Sequence, residues 1–183
     1  MNTEMFARST IGKLFIKLLA TAMESRFRYR FFNPINILQG VDNLYEQAVL
    51  EIGCGTGFFT IPAARLIGDQ GSLVAMDILS ESVELVSKKV QTAKLQNVQV
   101  VKGDAQNTNL DTESFHTVIL FGVIPAPMLS ITQLLTEMHR VLKPEGTLAI
   151  WPSVPGWLPQ AILKSGLFTC ANKRNGVYNF KRC

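Results

Sequence analysis

The stretch Val49–Thr60, VLEIGCGTGFFT, decides how the rest of the chain is read. An apolar run interrupted only by Glu51 is followed by Gly53, Gly55 and Gly57 at alternate positions, and Phe58 opens an apolar pattern at helical spacing. In physical terms this is a buried strand, a tight loop that lets a ligand approach the backbone, and a helix whose N-terminus points at that ligand. A dinucleotide loop needs GxGxxG, whose third glycine lets the helix pack closely on the strand. Phe58 stands in that place here, and no Gly-Lys-Ser/Thr follows to make a mononucleotide P-loop.

Outward from this stretch, short apolar runs alternate with amphipathic helices, the pattern of a parallel sheet with helices on both faces. Strands are expected at Ala48–Ile52, Ser72–Asp77, Val98–Lys102, Thr117–Phe121 and Thr147–Trp151. The first helix should run from Phe58 to Ile67, and the second from an N-cap at Ser80 to about Lys94. The third should begin at Ser130 and Gln133, which have capping-box spacing, and continue through Ile131, Leu134, Leu135, Met138 and Val141 to a stop at Lys143–Gly146. Leu158–Lys164 reads as a short helix. Asn175-Gly176 is a hairpin turn between closing strands at Phe168–Ala171 and Val177–Lys181. The expected class is α/β: a Rossmann-like doubly wound sheet of seven strands, mostly parallel, with an antiparallel C-terminal strand.

Before this unit lies a segment of different character. Ile11–Met23 is apolar but is interrupted by Lys13 and Lys17, too short and too charged to span a membrane. It suits an amphipathic helix packed on the domain, or one lying on a membrane surface with its lysines outward. SRFRYRFF, residues 25–32, is basic and aromatic, and Asn33-Pro34 supplies an N-cap and a first helical residue for a short helix through Ile35, Ile37, Leu38 and Val41. We therefore divide the chain into a cap segment, 1–33, and a main domain, 34–183.

The 183 residues carry a net charge of +4, with basic residues concentrated before Pro34, so a general nucleic-acid groove is not expected. Three scattered cysteines, Cys54, Cys170 and Cys183, form no CxxC pair, which suits a reducing, cytoplasmic setting and indicates neither disulfides nor a metal site.

Glu51 followed by Gly53-x-Gly55-x-Gly57 resembles motif I of the class I S-adenosylmethionine-dependent methyltransferases. Three further features fall in order: Asp77 ending strand two, Asp104 in Gly103-Asp104-Ala105 after strand three, and RVLKPEGTLAI, Arg140–Ile150, similar to the family's RVLKPGG segment. The resemblance covers about Ala48–Trp151 and is closest to the small-molecule enzymes of ubiquinone and menaquinone biosynthesis. It implies S-adenosylmethionine as cofactor. Gly53 and Gly55 would admit the methionine tail, with Cys54 as a small loop residue between them; Glu51 would hold the loop and the ligand's ammonium; Asp77 would accept from the ribose hydroxyls. Asp104 would accept from the adenine amino group with Ala105 at the ring edge, and Ile78 and Phe121 would border the cofactor.

No catalytic residue is assigned. His116, where the family usually has aspartate, and His139 should both sit at the amino edge of the sheet, away from the cofactor. The segment after strand four, Phe121–Pro127, is apolar and lacks the Asn/Asp-Pro-Pro-Tyr/Phe motif of amino-methyltransferases, which argues for a small apolar acceptor. Phe31, Phe32, Trp151 and Trp157 are candidates either to complete its pocket or to fill the core. Little chain lies between strand five and the C-terminus for a substrate lid, so the N-terminal helix is the expected cover.

Overall fold

The computed structural model describes residues 32–124, 129–154 and 160–183. A seven-stranded sheet has the order β3-β2-β1-β4-β5-β7-β6, with β1 at Ala48–Ile52, β2 at Ser72–Asp77, β3 at Val98–Lys102, β4 at Phe115–Phe121, β5 at Leu142–Trp151, β6 at Phe168–Arg174 and β7 at Val177–Arg182. The pairs from β3 through to β5 are parallel, and β7 enters antiparallel between β5 and β6. Its turn residues, Asn175 at φ 48° and Gly176 at φ 81°, both lie in the left-handed region that a two-residue hairpin needs, as Asn-Gly predicts.

Helices α1 (Pro34–Leu38), α2 (Thr60–Ile67) and α3 (Ser80–Thr92) serve one face, and α4 (Ile131–Val141) and α5 (Gln160–Lys164) the other. Alternation along the strands divides the core accordingly. Val49, Ile119, Phe121 and Ala149 pack with α1 and α2, while Leu50, Ile52, Val118, Leu120, Leu148 and Ile150 pack with α4 and α5. The central strands are thus buried on both sides, which is why they read as nearly continuous apolar runs.

The elements differ from the sequence reading mainly at their ends. α2 starts at Thr60 rather than Phe58, because Gly57, at φ 80°, keeps the preceding residues in turns. The N-cap of α3 is Leu79, not Ser80, and no side chain caps the first turn; the Asp77 carboxylate accepts from Leu79 N–H at 2.9 Å and fixes the turn that leads into the helix. β5 begins at Leu142 rather than Thr147, and α4 runs straight into it. Asn33 caps α1 as expected, accepting from Ile35 N–H at 2.9 Å, but that helix ends at Leu38, before Val41.

Candidate functional site

The sheet order reverses at β1, whose neighbours are β2 and β4, and the loops leaving these strands meet at its carboxyl edge, where open α/β sheets bind ligands. The glycine loop is stitched to β2: Gly53 and Cys54 both donate to the Met76 carbonyl, at 2.8 and 3.0 Å, and Gly57 N–H donates to Cys54 O at 2.8 Å. Gly53, Gly55 and Gly57 all have positive φ, at 74°, 52° and 80°. At Gly53 a Cβ would come within 2.7 Å of Val123 Cγ2, so a side chain there is excluded by conformation and by contact.

Asp77 joins the two strand ends. Its Oδ2 accepts from Gly55 N–H at 2.8 Å and its Oδ1 from Leu79 N–H at 2.9 Å, so one carboxylate sets the glycine loop and the start of α3 together. Burial raises its pKa, and the backbone donors oppose that shift. Backbone N–H groups of Gly55, Ile78 and Leu79 all act on this carboxylate, and with about four acceptor positions on its two oxygens it keeps lone-pair capacity for a ligand hydroxyl.

A cleft of about 110 Å³ opens beside it, and Gly53, Asp77, Ile78, Asp104, Ala105, Val123 and Leu129 are among its lining residues. That is less than the roughly 300 Å³ at which small-molecule sites begin, so the cleft has room for only part of a ligand of that size. A larger depression of about 810 Å³ lies around Asp69, Gly71 and 94–99, where β2 and β3 begin, far from these strand ends. The convergence of acidic side chains and glycine backbone makes the smaller cleft the site. Asp104 is fixed by its own turn, Oδ1 accepting from Gln106 N–H at 2.9 Å and its carbonyl from Asn107 N–H at 3.0 Å.

Glu51 lies behind the loop. It is 3% exposed, its Oε2 accepts from Thr60 Oγ at 2.6 Å, and burial pushes its pKa up to about 7. Thr60, the polar residue that opens α2, is the partner the sequence reading missed; a lone hydroxyl in an apolar run nine residues after a buried acid was its signal. Cys54 is buried, and desolvation, with the Glu51 and Asp77 charges behind it, pushes its thiol above the usual range; it is a packing residue.

Of the ten cofactor candidates, Gly53, Asp77, Ile78, Asp104 and Ala105 line the cleft. Glu51, Cys54, Gly55 and Gly57 form the loop's frame. The Phe121 side chain turns the other way, meeting Phe59 edge-on at 5.0 Å in the α1–α2 core, so at most its backbone borders the cofactor. Trp151 packs on the same side, against Phe32 at 5.5 Å and Phe59 at 5.9 Å, away from the layer that holds Val123 and Leu129. Phe31, Trp157, the cap helix and Pro125–Pro127 lie outside the described residues. His116 sits where β4 begins, accepting from Ala48 N–H at 3.1 Å, and His139 is next to Phe168 and Cys183; both are at the far edge from the cleft. Among the described residues no cluster of three or more His, Cys, Asp or Glu could hold a metal ion, and no helix is long and apolar enough to cross a membrane.

The residues fit adenosylmethionine: an acid with lone-pair capacity left, a glycine loop with positive φ whose Gly53 faces Val123 closely, and a second acid lining the same small cleft. A family model described as a methyltransferase domain matches residues 49–146. The demethylmenaquinone methyltransferase of Lactobacillus johnsonii is 30% identical over 135 residues, covering 73% of this chain and 52% of that protein. Its namesake from Listeria welshimeri is 36% identical over 114 residues, covering 60% and 48%. The chain therefore spans about half the length of the curated relatives it matches. A solved SAM-dependent methyltransferase from Aquifex aeolicus has a TM-score of 0.73, with 89% of this chain and 95% of that one covered; at 21% identity the likeness is one of fold. Matched over more than half its length and carrying the acidic–GxGxG loop at the reversal point of its sheet, the chain belongs to the methyltransferase-domain family of class I, S-adenosylmethionine-dependent methyltransferases.

Proposed function

We propose that the chain moves a methyl group from S-adenosylmethionine to a small, apolar acceptor by direct in-line transfer, and that the acceptor is a quinone-type ring. The observation that carries this is Asp77, held between Gly55 and Leu79 N–H and lining the same cleft as Asp104. When bound, the sulfonium supplies a methyl already activated for transfer, so the protein's work is alignment and exclusion of water.

Asp77 accepts from the ribose hydroxyls through its remaining lone pairs, and the Asp104 carboxylate and Ala105 backbone take the adenine edge. Gly53 and Gly55 give the methionine tail its passage, with Glu51 bracing the loop and facing the ammonium. Ile78, 38% exposed, and the Phe121 backbone border the ligand. Among the described residues we assign no general base in the cleft, and Val123 and Leu129, which would border the acceptor, are apolar. The quinone reading rests on that apolar wall and on the names of the two curated relatives.

Residues 1–33 are the cap and 34–183 the catalytic domain, with Ile11–Met23 lying on a membrane surface beside a lipophilic acceptor. The start of α1 at Pro34, capped by Asn33, supports that boundary. Sedimentation with anionic vesicles should carry down the full chain, and removal of residues 1–24 should release it; equal behaviour of both would contradict the anchoring role.

The test of the activity is transfer of a labelled methyl group from adenosylmethionine to reduced demethylmenaquinone and a panel of hydroxylated aromatics. Label in a quinol-type product is expected. Tight cofactor binding with no transfer to any acceptor would instead make the chain a cofactor-binding module.

A further inference from the structure

The segment 103–114 joins β3 to β4 without a helix or strand of its own, yet it carries Asp104 and Ala105 into the cleft. Its position is set from α4, at both ends of that helix. At the first turn, Ser130 N–H donates to the Gln106 side-chain oxygen at 2.8 Å. At the last turn, Glu137 Oε1 accepts from Thr108 N–H at 2.9 Å and from Thr108 Oγ at 2.5 Å, while Arg140 donates to Leu110 O at 2.8 Å and Thr112 Oγ at 3.0 Å. The two side chains also close on each other, Arg140 Nε to Glu137 Oε2 at 2.8 Å and Nη2 to Oε1 at 2.7 Å.

The pair is only partly buried, with the Arg140 side chain 35% and Glu137 10% exposed, and a partly exposed pair contributes little net stability, so what it supplies to the segment is geometry. α4 already packs through Leu134, Leu135, Met138 and Val141, so it has no need of a carboxylate at 8% exposure to hold it on the sheet. Beyond their mutual pair, the side-chain hydrogen bonds of Glu137 and Arg140 all go to residues 108–112, and the Arg140 carbonyl accepts from Glu113 N–H at 2.9 Å. Thr108 is 5% exposed and lies one residue beyond Asn107, which is bridged back to Asp104. The connection from the ion pair to the cleft is therefore short, running from Thr108 through Asn107 and its bridge to Asp104. Arg140 opens the RVLKPEG segment, and this contact gives that arginine a task at the site.

Resting on the reading of the cleft as an adenosylmethionine site, we propose that Glu137 and Arg140 are positioning residues that set Asp104 and Ala105 against the purine edge, and so determine the preference for a 6-amino over a 6-oxo purine. Arg140 holds the Glu137 carboxyl well below the usual range, at about 2, so the pair stays charged throughout the working pH range.

The test measures dissociation constants of S-adenosylhomocysteine and of its 6-oxo counterpart, S-inosylhomocysteine, by calorimetry, together with melting temperatures. The proteins are the wild type, Thr108→Val, Arg140→Lys and Glu137→Gln. The wild type is expected to prefer the 6-amino ligand by about tenfold or more, the worth of a hydrogen bond to a charged acceptor. Thr108→Val and Glu137→Gln should lower that ratio by about threefold or more, and Arg140→Lys by less, because one charge is kept. A merely structural role would move the melting temperature and both affinities together, leaving the ratio unchanged, and that result overturns the proposal. Should Glu137→Gln fail to fold, the other two variants decide. A wild type that binds adenosylhomocysteine without preference overturns the positioning role alone, whereas one that binds neither ligand overturns the reading of the cleft and this proposal with it.

Discussion

At 3% exposure, with a threonine hydroxyl donating to it, Glu51 keeps its proton in the folded protein up to about pH 7, against an ordinary value of 4.5. Between those two values the folded state holds a proton that the unfolded chain has released. Stability therefore falls as pH rises through that window, by about 3 kcal/mol at most. Glu51→Gln mimics the protonated acid and keeps an oxygen for Thr60. Denaturant melts should show the variant gaining on the wild type at pH 8 but not at pH 4, and an equal difference at both would place the titration elsewhere. The same residue links to the cofactor: ionisation of Glu51 to meet the ammonium should release protons when adenosylmethionine binds near pH 6. Calorimetry in buffers of different ionisation enthalpy measures that release; none would remove Glu51 from the ammonium's surroundings. The identity of this acid was legible in the sequence as the acidic residue two positions before the first glycine of GxGxG, but its burial and its Thr60 partner were not, since both depend on where α2 begins.

Among elements, the strand–loop–helix of β1 and α2 was the easiest to read, because three glycines at alternate positions have few other uses. The start of α3 was harder. Ser80 has the side chain of an N-cap, yet the helix starts after Leu79, whose N–H is taken by Asp77 two residues upstream while the other oxygen of that carboxylate accepts from Gly55 N–H. The aromatics were ambiguous for a different reason: strand alternation places Phe121 and Trp151 with α1 and α2, but whether that face holds ligand or core depends on Phe59, which fills it. Gly53→Ala confronts both a φ of 74° and a contact of 2.7 Å to Val123, and should cost about 1–2 kcal/mol and abolish cofactor binding. Unaltered binding would show that the loop bends elsewhere to admit the ligand. For α4, the low pKa of Glu137 means that its clamp contributes above pH 4.5, the carboxyl's ordinary value, and is lost as pH falls towards 2. Glu137→Gln should flatten the acid limb of the stability profile, and a limb unchanged in slope would contradict the pairing.

On the scale of the whole molecule, the seven strands, their mostly parallel arrangement and the antiparallel C-terminal strand followed from the alternation of apolar runs and from Asn175-Gly176, but the order of the strands, with β7 between β5 and β6, did not. That insertion depends on long-range contacts, such as Asn179 Nδ2 donating to Gly40 O at 2.8 Å, that no local pattern encodes. The reversal of strand order at β1 brings Gly53, Asp77 and Asp104 to one edge, and the central claim is that this edge binds adenosylmethionine through Asp77. Calorimetric titration of the full chain and of Asp77→Ala with S-adenosylhomocysteine tests it most directly. Saturable one-to-one binding is expected, weakened by about 1–3 kcal/mol in the variant through loss of a buried charged acceptor. Absence of binding to the wild type at millimolar ligand, or equal affinity in both proteins, would contradict it.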